Sequence, residues 1–310
     1  MRVFVTGASG WIGSALVTEL LTHGHTVVGL ARSPRSAAVL TDLGAEVVRG
    51  TIDDVGVVAA TAAASDGVAH LAFQHDIAFT GGFEQAATAD RAVVDAVGAA
   101  LAGSGKPFTI AAGLLGLAPG KRVTERDGHE TVVVEPGHPA AGPALRRANA
   151  EAALALSAHG VRSSVVRLSP TVHGRGDQGF MATIARIARD AGFAGYLGDG
   201  ANRWPAIHRS DAARLFRLAL EEAPAGATLH GCGEEGVPMR AVAEAIGRQL
   251  DVPVRSVPPA DAAAHFSWMA TFIGLDAPAS NTETRKLLGW EPTGPGLIQD
   301  LDAGCYTDAA

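Results

Sequence analysis

An α/β fold with a doubly wound parallel sheet and a smaller C-terminal lobe is what this sequence predicts, on three observations. Short β-rich runs alternate with longer helix-like runs over the first 170 residues. A glycine-rich turn directly follows the first of those runs. After Ser169-Pro170 the alternation loosens, as a change of architecture would make it do. With 310 residues, 47% of them hydrophobic and 18% charged, the chain can bury a full core and divide into two lobes.

Taken in order, residues 3–6, 26–31, 45–49, 68–73, 108–112 and 161–168 read as strands, being apolar, β-branched and bounded by Gly or Pro. Between them 11–23, 34–43, 55–64, 83–102 and 143–159 read as helices rich in Ala and Leu. Parallel neighbours need crossover connections, so this alternation favours a sheet covered on both faces. The stretch 114–142 breaks the rhythm with Pro, Gly and charge, and its length predicts a functional or mobile loop. Helix-like runs at 180–191, 210–222 and 238–250, joined by short strands that include 228–230 and 254–257, form the second part. Residues 1–172 are expected to form the first domain, with 205–232 returning to it, and 173–204 and 233–310 to form the smaller lobe.

Composition narrows the partners. The net charge is −7, and the lysines are Lys106, Lys121 and Lys286, with no basic block to meet nucleic acid. No apolar run approaches the ~20 residues of a membrane span. The opening Met1-Arg2-Val3-Phe4-Val5-Thr6 runs straight into glycines and so reads as a strand rather than a signal peptide. Cys232 and Cys305 have neither metal-site nor disulfide-framework spacing, and a reducing cytoplasm fits best. His129, His138 and His159 lack zinc spacing, and no His-Glu-x-x-His segment occurs, so metal catalysis has no support.

The turn is Gly7-Ala8-Ser9-Gly10-Trp11-Ile12-Gly13, a G-x-x-G-x-x-G variant of the dinucleotide fingerprint. Glycine allows the tight turn and the close approach of backbone to a pyrophosphate, and the helix N-terminus offers free N–H groups to that anion. Strand, loop, helix and second strand fall in order, which makes the fold Rossmann-type. The end of the second strand chooses the nucleotide. An NAD site usually carries an acid there for the ribose hydroxyl. This chain has Arg32, Ser33 and Arg35 instead, which suit a 2′-phosphate and point to NADP(H).

The glycine turn, His70-Leu71-Ala72-Phe73, and Arg167-Leu168-Ser169-Pro170-Thr171-Val172-His173-Gly174 together resemble the extended short-chain dehydrogenase/reductase superfamily, and within it the epimerase/dehydratase-like group. Arg203-Trp204-Pro205-Ala206-Ile207-His208-Arg209-Ser210-Asp211-Ala212-Ala213 resembles that group's strand and helix leading back to the nucleotide domain. The resemblance implies that Ile52 and Asp53 lie by the adenine, that Leu71, Ala72 and Phe73 line the cofactor side, and that Pro170 and Val172 meet the nicotinamide end. It also implies a homodimer through helices flanking the sheet.

The sequence departs from the group at its usual Tyr-x-x-x-Lys pair and upstream serine. Alignment puts Leu145, Asn149 and Ala112 in those places, and neither tyrosine, Tyr196 or Tyr306, has a lysine four residues on. Another proton donor is needed, or a substrate that needs none. His75, at the end of the fourth strand beside Asp76, is the first candidate, because an ordinary histidine titrates near neutral pH. His173 is the second. Asn149, polar on the apolar stripe of Leu145, Ala152 and Leu156, needs a partner that the nicotinamide ribose or a backbone carbonyl would supply. Arg203, Trp204, His208, Phe266 and Trp268 are candidates for the substrate side. The favoured reading is an NADPH-dependent reductase of a small organic carbonyl, imine or activated alkene. The alternatives are a non-catalytic NADP(H) sensor with a protein partner and a redox-neutral isomerase.

Overall fold

Arg2–Thr6 (β1) turns through glycines into Trp11–Thr22 (α1), and strand and helix then alternate along the chain. Thr26–Ala31 (β2), Pro34–Asp42 (α2), Glu46–Arg49 (β3), Val55–Ala63 (α3) and Gly67–His70 (β4) follow. A single turn, His75–Ile77 (α4), leads through a kinked segment into Phe83–Leu101 (α5), Pro107–Gly113 (β5), Ala141–Ala155 (α6) and Arg162–Leu168 (β6). The computed structural model describes residues 1–130, 133–135, 137–138 and 140–306.

The second part comprises Thr171–His173 (β7), Phe180–Ala191 (α7), Ala194–Leu197 (β8), Arg203–His208 (β9), Arg209–Glu222 (α8), Ala227–Gly231 (β10), Glu234–Pro238 (β11), Met239–Leu250 (α9) and Val254–Val257 (β12). Four short helices close it: Ala262–Phe266 (α10), Ala270–Ile273 (α11), Thr282–Leu288 (α12) and Leu297–Asp302 (α13).

Seven strands form one parallel sheet in the order β10-β6-β5-β4-β1-β2-β3. Val3, Phe4 and Val5 pair with β2 on one side and β4 on the other, and all are fully buried. A strand covered on both faces reads as an unbroken apolar run, which is why β1 was legible. Leu16 and Leu20 of α1, Leu40 of α2, and Leu215 and Phe216 of α8 fill one face. Val58 of α3, Val93 and Val97 of α5, and Ala153 of α6 fill the other. The strand order reverses between β1 and β4, and a crevice opens there at the carboxyl ends.

The expected boundary at residue 172 falls within β7. β7 lies outside the large sheet and joins β9 and β11 in a three-stranded sheet. Pro170 carries no N–H with which to extend the β6 ladder, so the chain changes sheets there. The return over 205–232 is divided: α8 and β10 join the large sheet, but β9 stays in the small one. β8 and β12 form a separate parallel pair. Trp204, Met239, Ile246 and Phe266 are among the residues that build a second core beneath these elements.

Much of the segment predicted to be a functional or mobile loop is pinned. Val123 bridges Ala279, and Glu125 accepts hydrogen bonds from the Thr284 backbone and hydroxyl, each at 2.8 Å. Residues 131, 132, 136 and 139 of that segment lie outside the described residues. Among the described residues no helix is long and apolar enough to cross a membrane.

Candidate functional site

The site starts at the β1–α1 turn. Gly7 has φ +69°, and a Cβ there would stand 2.7 Å from the Ala72 nitrogen. At Gly13 it would stand 2.0 Å from the Gly7 carbonyl oxygen, so the helix can approach the strand only without a side chain. α1 begins after Gly10 with no side-chain cap. Its first-turn N–H groups are thereby left for an anion. The Trp11 indole donates to the Val172 carbonyl at 2.8 Å and ties this turn to β7.

A cleft of about 1220 Å³ runs from the glycine turn across the sheet's carboxyl edge to Trp268 of the smaller lobe. Of the residues expected around the cofactor, all but Ser33 and Arg35 line it. Ser33 is instead the N-cap of α2, accepting from the Ser36 backbone at 3.1 Å, and Arg35 is exposed on that helix. Arg32 remains at the cleft, exposed and 3.2 Å from Asp76. Asp53 accepts from the Gln74 amide at 3.0 Å.

Helix α6 forms the facing wall, and it corrects the expected register. Pro143, Arg146, Arg147 and Ala150 line the cleft, spaced i, i+3, i+4 and i+7. Leu145 points to solvent, 42% exposed. Asn149 faces the core and takes no part in the cleft: its amide donates to the Ala87 carbonyl and to Asp90, each at 2.7 Å. A backbone carbonyl and a carboxylate therefore satisfy it, and the ribose contact is withdrawn. Burial alone would raise the Asp90 carboxyl. The His70 hydrogen bond and charge, with Arg146 and Asn149, outweigh it and hold this carboxyl below its ordinary range.

His75 lines the cleft and reaches solvent at its mouth. Its ring stacks on Phe79 with centroids 5.6 Å apart. Desolvation by the surrounding walls, then the charge of Arg146, pushes its imidazole down to about 4. The expected near-neutral titration is corrected, and His75 is uncharged at pH 7. His173 does not line the cleft. Fully buried, it sits 2.6 Å through Nδ1 from Asp300, so it does not serve as a substrate-facing donor.

Of the substrate-side candidates only Trp268 lines the cleft. Arg203 pairs with Asp276 at 2.9 Å at the start of β9. Trp204 is buried and donates to the Leu275 carbonyl, His208 caps α8 through the Ser210 backbone, and Phe266 lies in the second core. Ion pairing, packing and capping account for these four.

Three features were not anticipated. Arg146 lies with its guanidinium carbon 3.6 Å from the Phe73 ring centroid. Asp177 lines the cleft and accepts from the Tyr306 hydroxyl at 2.9 Å, and burial raises its carboxyl. Phe79, Phe180 and Phe272 join Trp268 in an aromatic wall. The double arginine on α6 was a sequence signal for the first. The other two depend on which loops meet across the cleft, and sequence spacing does not encode that.

A family model described as the NAD dependent epimerase/dehydratase family matches residues 3–98. Over 305 residues the chain is 43% identical to "Uncharacterized protein YLL056C" of Saccharomyces cerevisiae, covering 98% of each. It is 40% identical over 307 residues to "Uncharacterized protein C2A9.02" of Schizosaccharomyces pombe, covering 99% of this chain and 100% of that one. Among solved structures, DesIV, a dTDP-glucose 4,6-dehydratase from Streptomyces venezuelae with NAD and TYD bound, aligns with a TM-score of 0.75 at 21% identity. That alignment covers 98% of this chain and 96% of the other, and the likeness is one of fold.

Proposed function

Because the chain belongs to the NAD dependent epimerase/dehydratase family, we propose that it is an NADPH-dependent reductase of a small organic carbonyl, imine or activated alkene. The observation that carries this reading is one continuous cleft that runs from the glycine turn to the aromatic wall of the smaller lobe and is lined by a carboxyl of raised pKa. A protein that merely held the nucleotide would not need the second end.

The residues present fit a nicotinamide dinucleotide. The uncapped start of α1 suits the pyrophosphate, and Gly7 and Gly13 leave no room for a side chain where backbone must come close. Arg32, with no acid at the end of β2, supports a 2′-phosphate and hence NADPH over NADH. When bound, that cofactor supplies the hydride. The chain must manage the proton. Asp177 keeps its proton to higher pH than an ordinary carboxyl, because burial disfavours its charge, and it is the acid assigned to the substrate. The Tyr306 hydroxyl positions it. Neutral His75 offers a ring nitrogen for a hydrogen bond with substrate and adds no charge.

Loss of NADPH absorbance, followed with purified protein against ketones, imines and enones, tests the reading. Turnover is expected with NADPH, and Asp177→Asn is expected to lower kcat by about 100-fold, within the ordinary range for general acids, with NADPH affinity retained. Arg32→Ala should erode the preference for NADPH over NADH. Tight NADPH binding without turnover across the panel would replace the reductase with a cofactor-holding regulator. Equal use of NADH would remove the NADP assignment alone.

A further inference from the structure

Arg146 is a cation of the cleft that no protein acceptor engages among the described residues. Arg147 beside it donates to the Gly116 carbonyl at 3.1 Å, and Arg167 donates to the carbonyls of Asp127 and Gly128. Among the described residues Arg146 has no hydrogen bond and no ion pair, only its stack on Phe73. Asp90 acts on it electrostatically from behind, but that carboxylate already accepts from His70 and Asn149. An arginine withdrawn from water without an acceptor is costly. Stacking on a ring offsets part of that and leaves the fork of N–H donors, on a residue that lines the cleft, without a protein acceptor.

The cleft beside it is walled by rings. Phe73, His75, Phe79 and Trp268 are in successive contact, with centroids 5.1, 5.6 and 5.3 Å apart. Phe79 and Trp268 are 45% and 41% exposed, although both are large and apolar, and both line the cleft. The backbone is strained to put Trp268 there. Ser267 has φ 51° and ψ −132°, a conformation that residues with side chains rarely adopt. Strain held beside an exposed aromatic in a cleft is a sign of ligand contact.

We propose that the substrate is an organic monoanion, a flat apolar body carrying one carboxylate, with the body against Phe79 and Trp268 and the carboxylate on Arg146. One guanidinium with Asp90 behind it suits a single negative charge better than a phosphate dianion. The planar fork matches the two oxygens of a carboxylate. This deepens the reductase reading, since the anion occupies the same cleft.

The test uses binding, which is read independently of turnover. trans-Cinnamate, its neutral methyl ester and phenyl phosphate are titrated into the full chain by calorimetry, with and without NADPH. Cinnamate is expected to bind at least tenfold more tightly than either of the others. Arg146→Gln should remove that preference by weakening cinnamate and leaving the ester unchanged, whereas Trp268→Ala should weaken both alike. Arg146→Lys, which keeps charge but loses the fork, should retain only part of the preference. It also stands in if the glutamine variant fails to fold. Equal binding of acid and ester to the unaltered protein would overturn the proposal, as would selectivity that survives Arg146→Gln or tighter binding of phenyl phosphate. A protein that reduces neutral substrates but shows no acid preference loses only this inference. One that binds cinnamate selectively yet turns nothing over loses only the reductase.

Discussion

His75 shows how far a side chain's surroundings can move its chemistry. Its folded imidazole titrates at about 4, against 6.5 for an ordinary one, through desolvation first and Arg146 second. Between those values the unfolded chain binds the extra proton, so stability falls as pH drops from 6.5 toward 4. Proton NMR of the ring is expected to give a midpoint well below 6.5, and Arg146→Gln should move it upward. A midpoint at or above 6.5 would mean that the ring is fully solvated and insensitive to the arginine. The residue type and its place after β4 were readable from sequence, and its titration was not. Desolvation depends on walls that meet only in the fold, and Arg146 sits on α6, some 70 residues on, so no local pattern records either. Separation along the chain also explains Asn149: its polarity on an apolar stripe signalled a partner, and of the two expected partners the backbone carbonyl is present, at Ala87, together with Asp90 of α5.

At the scale of elements, what was legible followed from local rules. β1, the glycine turn and α1 come from an apolar run, three glycines and a helical stripe, all within the first 22 residues. Gly13→Ala tests how tightly that unit is built. The added carbon meets backbone that cannot move aside, so a loss of about 2–3 kcal/mol is expected, read as a lower urea midpoint together with weakened NADPH binding. β7, β8 and β11 were missed because they are three to five residues long, and β11 reads Glu-Glu-Gly-Val-Pro, a poor strand by propensity. Such strands exist because a neighbour offers a ladder. The turn before Trp268 obeys the reverse logic, with local preference overridden by what surrounds it. Ser267→Gly should relieve the strained φ and raise unfolding stability by about 1 kcal/mol, while loosening Trp268 and weakening cinnamate. Unchanged stability would show that Ser267 is not strained in solution.

Across the whole molecule, Asp211 ties the returning helix to the C-terminal segment. Its buried carboxylate accepts from Arg214 at 2.7 Å and from the Thr293 and Gly294 backbone at 3.0 and 2.9 Å. The Trp290 indole donates to its carbonyl at 3.1 Å. Asp211→Ala leaves three donors without this acceptor and should cost about 2–4 kcal/mol, measured as a shift in the chemical unfolding midpoint without a change in slope. A shift under about 0.5 kcal/mol, the scale of a surface substitution, would mean that the C-terminal segment is held by other contacts. The order of the large sheet carries a consequence for synthesis. Its edge strand, β10, and the helix that covers α1, α8, are made only after the first part of the smaller lobe, residues 171–208. An emerging chain therefore has the glycine turn and six of the seven strands in hand well before the sheet can be finished. Until about residue 231 leaves the ribosome, the β6 edge and one face of α1 remain open. The nascent chain is thus most open to aggregation, and most in need of a chaperone, over that interval.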